Sequence, residues 1–244
     1  MVEKFGEKQY ISLLKFFKES GYAIKGFNQR LTSEKTLILR HDIDFSPNMA
    51  LKFAKIENHL NIKSTYFFLV SSYFYNIFSE NTLYSLKNII LLGHEIGLHF
   101  DPSIHKKKDI DYFCNVEAEV LEKACNTPVK IVSFHRPLKQ FINNNNKIGK
   151  FKHTYMKEYF EKICYCSDSE GRWRFKKPWE LIKEGANKKK FHIQLLTHPI
   201  WWLTPSNLSP KDKIKYFFKK YQKERVKILE KNSKPFRNNR NEKK

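Results

Sequence analysis

The sequence lacks long apolar runs, has few cysteines, and carries too few acidic residues to balance its basic ones. The longest apolar runs, residues 66–70 and 89–92, fall far short of the roughly 18 residues that a membrane-spanning helix needs, so we expect no transmembrane segment. A basic flank followed by an apolar stretch, the mark of a signal peptide, is missing at the N-terminus. Four cysteines in 244 residues do not form the disulfide framework of a small secreted domain. We therefore expect a cytoplasmic protein, with peripheral contact to an anionic membrane as an option.

The formal net charge is +21, and about half of it lies in the last sixth of the chain. Residues 205–244 hold 14 Lys and Arg against 4 Asp and Glu, whereas the first 204 residues hold 32 against 21. Such an excess is found in nucleic-acid-binding proteins, but it also favours solubility or attraction to anionic lipids and sugar phosphates. Scarce glycine beside abundant Lys, Asn, Ile and Phe is also what an AT-rich genome produces. Because no helix-turn-helix or zinc-finger pattern accompanies the charge, we do not expect a nucleic-acid partner.

Helix-like and strand-like segments alternate along the chain. Helices are predicted at residues 9–20, 46–60, 81–92, 110–125 and 210–230, and strands at 36–39, 64–70, 95–100, 130–134, 163–166 and 191–196. This alternation predicts βαβ units and an α/β fold with a mainly parallel sheet, either a barrel or a doubly wound sheet. We predict one domain at residues 1–231, with its motif-bearing core at 36–202, and a basic, disordered tail at 232–244.

Acidic, histidine and arginine side chains stand at the ends of five predicted strands. They are Asp42 and Asp44, His99 and Asp101, His135 and Arg136, Asp168, and His198. In a parallel barrel the C-terminal ends of all strands meet at one mouth, where catalytic sites are built. Each residue alone could be a helix cap or a packed side chain, but their coincidence at five strand ends favours a catalytic site.

Five segments that carry these residues resemble the ordered motifs of the polysaccharide deacetylases, the NodB-homology group or carbohydrate esterase family four. They are Leu-Arg-His-Asp-Ile-Asp at 39–44, Gly-His-Glu-Ile-Gly-Leu-His at 93–99, Ser-Phe-His-Arg-Pro at 133–137, Asp-Ser-Glu-Gly-Arg-Trp at 168–173 and Leu-Thr-His-Pro-Ile-Trp-Trp at 196–202. The resemblance implies a distorted (β/α)7 barrel, similar to a TIM barrel, with mainly parallel strands. It also implies a metal-dependent hydrolase of carbohydrate metabolism that removes an acetyl group, with N-acetyl favoured over O-acetyl, by cleaving a carbon–nitrogen (non-peptide) or ester bond.

The chemistry of hydrolysis gives each of these groups a role. Alternate residues of a strand point to the same face, so Asp42 can act as general base while Asp44 binds the metal, which the resemblance also implies. Arg136 would orient Asp42 and keep it ionised. His198 would be the general acid that protonates the leaving amine, and Asp168 would hold its tautomer.

The second motif departs from the family pattern, in which a second histidine follows the first by four residues. Here His99 holds the first position and Ser103 the second. The third ligand is then either His135, which ends the neighbouring strand and which we favour, or His105. A divalent metal, with zinc as the first choice, is the predicted cofactor. Two alternatives stay open: a site with two ligands and low metal affinity, and a metal-free relative that only binds sugar.

Tryptophans accompany the last two motifs. Trp201 and Trp202 follow His198, and Trp173 ends the fourth motif, so their rings could stack on a sugar, although core packing is the alternative. The expected substrate is an acetylated sugar on a nucleotide or lipid carrier in surface-polysaccharide biosynthesis. The alternative functions are a non-catalytic carbohydrate-binding relative and, less favoured, a nucleic-acid-binding protein.

Overall fold

A single mainly parallel sheet forms the centre of the computed structural model, which describes residues 4–28, 31, 34–188 and 192–238. Its nine strands are β1 (Ala23–Lys25), β2 (Thr36–Ile43), β3 (Thr65–Leu69), β4 (Glu95–Phe100), β5 (Ile131–Phe134), β6 (Lys152–His153), β7 (Cys164–Ser167), β8 (Arg174–Phe175) and β9 (Ile193–Thr197). The strand order is β6-β5-β4-β3-β2-β9-β7-β8, and β1 pairs with β2 beside β3. Among the pairings of these nine strands, that of β7 with β8 is antiparallel and the others are parallel.

Helices lie between most of the strands, in the alternation that the sequence predicts. They are α1 (Glu7–Glu19), α2 (Pro47–His59), α3 (Glu80–Leu91), α4 (Ile110–Cys125), α5 (Lys157–Phe160), α6 (Pro178–Lys188), α7 (Pro199–Trp202), α8 (Pro210–Asn232) and α9 (Lys234–Asn238). The start of α2 has the predicted cap, since the Ser46 hydroxyl accepts a hydrogen bond from the Met49 amide at 3.3 Å and Pro47 follows the cap. No helix among the described residues combines the length and the apolar run that crossing a bilayer requires.

The sheet curls like part of a barrel and stays open. Its two ends are β6 and β8, and no pairing between the described residues joins them. The predicted α/β class with mainly parallel strands is confirmed. The predicted barrel is distorted in that the sheet does not close between β6 and β8. The short strands β1, β6 and β8 were not predicted, because two or three residues are too few for a periodic pattern.

Most predicted boundaries shift by one or two residues, and β2 continues to Ile43, four residues beyond its predicted end. The last strand begins at Ile193, and Phe191, where the prediction began it, lies outside the described residues. The final long helix continues to Asn232, and α9 occupies part of the segment predicted as a disordered tail. Residues 239–244 of that segment lie outside the described part of the chain.

Strand β2 is buried at all eight positions because it lies inside the sheet and core side chains cover both of its faces. Ile38 contacts an apolar cluster inside the curl of the sheet, and Arg40 and Asp42 follow it on the same face. His41 lies on the opposite face, toward the helices.

Glu57 of α2 is the central acceptor of a polar network behind the sheet. Its carboxylate accepts hydrogen bonds from the hydroxyls of Tyr10, Ser64 at 2.6 Å and Tyr66 at 2.8 Å, and it lies 2.7 Å from Nε2 of His41. Burial alone would raise the pKa of Glu57, but the neighbouring imidazoles and the Ser64 hydroxyl lower it from its usual 4.5 to about 2.

Replacing this carboxylate should destabilise the protein in a pH-dependent way. We expect Glu57→Gln to cost on the order of 3 kcal/mol at neutral pH, because hydroxyl donors would face an amide nitrogen in a buried network. The lowered pKa means that the ionised carboxylate stabilises the fold above about pH 4.5 and that this contribution falls as the pH drops toward 2.

Urea unfolding of both proteins at neutral pH and near pH 3 measures this effect, and the difference should narrow at the acidic pH. Glu119→Gln, on the exposed side of α4, is the matched control and should leave the midpoint unchanged. An equal difference in unfolding free energy at the two pH values would contradict a stabilising role of the ionised Glu57 carboxylate.

Candidate metal and catalytic centre

Asp44, His99 and His135 each bring one ligand atom to a common point at the C-terminal edge of the sheet. Asp44 directly follows β2, His99 lies at the end of β4, and His135 directly follows β5. Oδ1 of Asp44 lies 3.1 Å from Nε2 of His99 and 3.2 Å from Nδ1 of His135, and the two nitrogens are 3.2 Å apart. Among the described residues, these three form the group that could hold a metal ion.

The three atoms have the spacing and the chemistry of a metal site. Ligand atoms about 2.0–2.1 Å from a tetrahedral zinc ion lie roughly 3.3 Å from one another, and two imidazoles with one carboxylate are a ligand set of open, catalytic zinc sites. Oδ1 of Asp44 is buried without a well-formed hydrogen bond from the residues that the structure describes. Burial works against the charged form, yet the imidazoles of His135, His99 and His198 hold the pKa of Asp44 well below its usual value. The donor set therefore fits a divalent cation.

His105, the alternative third ligand, lies away from this cluster. Its ring stacks between Phe100 and Phe113, with centroid distances of 5.3 and 4.3 Å, and its Nε2 is 3.6 Å from Glu117. The geometry thus favours His135, whose role as a ligand stays a prediction.

Asp42 lies at the border of this cluster, where a general base is needed. Its carboxylate is 2% exposed, and both of its oxygens lie 3.0 Å from the hydroxyl of Ser133. Oδ2 accepts a hydrogen bond from Nη2 of Arg40 at 3.2 Å and lies 3.8 Å from Nδ1 of His99. The predicted position of Asp42 next to the metal ligands therefore agrees with the geometry.

The cation that pairs with Asp42 is Arg40, so the predicted contact between Arg136 and Asp42 is wrong. Nε of Arg136 donates instead to Oδ2 of Asp101 at 2.9 Å. The reason is the alternation of side chains along an extended chain: His135 points to the centre, and its neighbour Arg136 lies at the rim, 56% exposed.

Arg40 is wholly buried beneath the centre. It donates to Oε1 of Gln194 at 3.0 Å and to the hydroxyl of Tyr155 at 3.2 Å, besides Asp42. Burial alone would lower the pKa of Arg40, but Asp42 and the neighbouring tyrosines raise it, so the guanidinium stays charged. The sequence analysis missed Arg40 and Ser133. Alternate residues of a strand share a face, so Arg40 could have been placed on the face of Asp42, and Ser133 on the face of His135.

His198 lies on another side of the cluster and is held by Asp168. Nδ1 of His198 is 2.6 Å from Oδ1 of Asp168, and its backbone amide also donates to that carboxylate. Nε2 of His198 is 3.9 Å from Oδ2 of Asp44. Burial disfavours the imidazolium, but Asp168, Asp44 and Asp42 outweigh it and raise the pKa of His198 to about 9. The predicted pairing of His198 with Asp168 is present.

Of the three tryptophans predicted as a sugar platform, Trp201 and Trp202 belong to the core, and Trp173 is partly buried against it. Trp201 is 6% exposed and Trp202 is 2% exposed, because α7 turns back into the interior after His198. Nε1 of Trp202 donates to Asp168 at 2.6 Å, and Trp173 packs against Trp202 at a centroid distance of 5.8 Å. Trp202 thus supports Asp168 through this hydrogen bond, and neither Trp201 nor Trp202 offers an open ring to a sugar.

A cleft of about 140 Å3 opens beside Asp44 and His135. Tyr73 on its border is 86% exposed, and Ile104 is 46% exposed. An exposed aromatic ring at the edge of a cleft can stack on the apolar face of a sugar. The sequence analysis missed Tyr73, since nothing in the sequence separates it from the other eleven of the 12 tyrosines.

The fold and the site together define an α/β protein with a candidate metal centre between a buried acid and an Asp–His pair. No family model and no curated protein matches the chain in sequence. Its structure is similar to that of a family 4 carbohydrate esterase from Bacillus anthracis, with a TM-score of 0.45 and 16% identity, covering 92% of this chain and 90% of that one.

Two further solved structures with a similar fold are an esterase with a bound metal ion and a pseudoenzyme. A family 4 acetyl xylan esterase from Clostridium thermocellum in complex with a cobalt ion has a TM-score of 0.39 and 15% identity, covering 75% of this chain and 83% of that one. A family 4 pseudoenzyme from Bacillus anthracis has a TM-score of 0.41 and 15% identity, covering 78% of this chain and 61% of that one. All three likenesses have TM-scores below 0.5, so the activity is inferred from the residues of the site.

Single substitutions should identify the metal ligands. We expect His135→Gln to weaken zinc binding by at least about 100-fold, because removing even an indirect partner of a metal ligand costs 10–100-fold. His105→Gln is the matched control and should bind zinc like the wild type. Competition with a chromophoric chelator measures the affinity, and elemental analysis measures the metal content. The reverse pattern would assign the third ligand to His105.

Proposed function

We propose that this protein is a metal-dependent hydrolase that removes an acetyl group from a sugar. One observation carries the proposal: the Asp44–His99–His135 cluster lies between a candidate base and a candidate acid. Oδ2 of Asp42 is 3.8 Å from His99, and Nε2 of His198 is 3.9 Å from Asp44. Hydrolysis of an amide or ester without a covalent intermediate needs an activated water, a polarised carbonyl, a base and an acid, and this arrangement can supply all four.

Asp44, His99 and His135 would hold the cation, and we propose zinc because imidazole and carboxylate ligands suit it. When bound, a divalent cation would lower the pKa of a water and polarise the acetyl carbonyl.

The side chains of this chain would move the protons. Asp42 would accept the proton of the attacking water, while Arg40 compensates the negative charge of the carboxylate at 3.2 Å. The water oxygen would bond to the acetyl carbon, the carbon–nitrogen bond would break, and acetate would form. His198 would give a proton from Nε2 to the leaving amine, and Asp168 would keep the ring oriented through Nδ1.

The proposed substrate is an acetylated sugar attached to an anionic carrier of the kind used in polysaccharide assembly. Tyr73 would stack on the sugar at the edge of the cleft, since its ring is 86% exposed there.

Acetate release tests the proposal directly. The zinc-loaded protein should release acetate from a panel of N- and O-acetylated sugars and N-acetylated sugar nucleotides, and a chelator should stop the release until zinc is restored. Asp42→Asn should lower the rate by about 100-fold or more, because the general base is lost, while zinc content stays unchanged.

Asp109→Asn, a change of the same kind outside the centre, is the control and should keep the wild-type rate. Chelator-insensitive release would contradict the metal mechanism. Sugar binding by the zinc-loaded protein without any acetate release would instead identify a non-catalytic carbohydrate-binding protein.

The leaving group should decide how much His198 matters. We expect His198→Asn to slow deacetylation of an N-acetyl sugar by about 100-fold or more, because the amine must be protonated as it leaves. An aryl acetate, whose phenolate leaves without a proton, should lose less than about 10-fold. Parallel rate measurements on the two substrates give the comparison, with the exposed His59→Asn as control. Equal losses on both would refute the general-acid role.

A further inference from the structure

A second, larger groove lies next to the centre, where α8 crosses the beginnings of α2 and α3. Its volume is about 540 Å3, which is within the usual range of sites for small molecules. Its walls come from residues 45–49 and 74–76, from Ser79, Asn81 and Thr82, and from the face of α8 between Phe217 and Ile228.

The floor of this groove is aromatic. Phe45 and Phe74 stack with a centroid distance of 4.9 Å, and Phe217 meets Phe45 edge-on at 5.7 Å. Tyr221 stacks on Phe217 at 5.8 Å, and its hydroxyl donates to the carbonyl of Phe74 at 2.7 Å, which fastens α8 to the floor. Such a surface can stack on a planar ring.

The groove adjoins the candidate catalytic cleft. Phe45 and Phe74 line both of them, and Phe45 directly follows Asp44. A ligand with one end at Asp44 can therefore extend over these two rings into the groove.

Basic side chains surround the aromatic floor. They are Lys52 of α2 and Lys220, Arg225 and Lys227 of α8, and the acidic side chain on the lining is Glu224. The three lysines are exposed, and no ion pair of the described residues involves them. The guanidinium of Arg225 lies over the Tyr221 ring at 4.8 Å. The groove thus combines surplus positive charge with flat apolar surface.

We propose that this groove binds a nucleoside diphosphate. The base would stack on the aromatic floor, and the phosphates would face the lysines, so the charge and shape of the groove complement a nucleotide. The groove would then receive the carrier half of a sugar nucleotide whose acetylated sugar reaches Asp44, and this link to deacetylation rests on the proposed function. A groove of about 540 Å3 fits a ligand of nucleotide size, whereas a long lipid chain needs a longer apolar surface.

Calorimetric titration with UDP and with GDP tests this proposal on the whole chain in the presence of EDTA. The chelator excludes binding through a metal ion. Lys220→Glu combined with Lys227→Glu should weaken the binding of at least one diphosphate by about 10-fold or more, because like charges replace the phosphate partners. Lys219→Glu combined with Lys223→Glu changes the net charge equally on the same helix but outside the groove, and should stay within about 2-fold of the wild type.

Three outcomes would overturn the proposal. The first is no saturable binding of either diphosphate, and the second is equal weakening in the two double variants, which means attraction to the net charge alone. The third is binding to vesicles of anionic phospholipid that depends on Lys220 and Lys227 while nucleotides do not bind, which identifies a lipid surface. Thermal unfolding of each variant checks that it is folded.

The titration is independent of the proposed hydrolase activity. Nucleotide binding without acetate release from any acetylated sugar or sugar nucleotide of the panel would support the nucleotide site and refute the deacetylase activity. Acetate release without nucleotide binding would refute the proposed nucleotide site and leave the deacetylase activity supported.

Discussion

Strand β2 carries ionisable side chains on both faces while it is buried along its whole length, and every one of these groups needs a partner. A buried charge without a partner costs several kcal/mol, so the surroundings of the strand are largely determined by this compensation. On the face inside the curl, Arg40 pairs with Asp42. On the face toward the helices, His41 pairs with Glu57. A shift of the strand by one residue would exchange the two faces and leave both networks unpaired.

The register between β2 and β9 connects these networks to the candidate acid. His41 lies opposite Thr197 in the parallel pair, and Nδ1 of His41 lies 2.7 Å from the Thr197 hydroxyl. Asp42 follows His41, and His198 follows Thr197. This pairing therefore places the candidate base and the candidate acid at the same level of the C-terminal edge of the sheet. The polar network behind the sheet thus helps to align a site that it does not contact.

The structure shows where part of the basic charge lies. Half of the excess lies beyond residue 204, and α8 from that region contributes Lys220, Arg225 and Lys227 to the groove next to the centre. The sequence analysis left solubility, lipid and sugar phosphate open as reasons for this charge. Its position beside an aromatic floor is what favours a phosphate-bearing ligand with a planar ring.

Hydrophobic periodicity was enough to predict the order of the main strands and helices, because it reflects local backbone geometry. The strand ends were enough to predict that Asp44, His99 and His135 lie together, because parallel strands end at one edge of the sheet. The partner of Asp42, the burial of Trp201, the exposure of Tyr73 and the groove under α8 were decided only by the tertiary structure. The direction of a side chain beyond the end of a strand depends on how the following loop or helix packs, and no local pattern in the sequence encodes that packing.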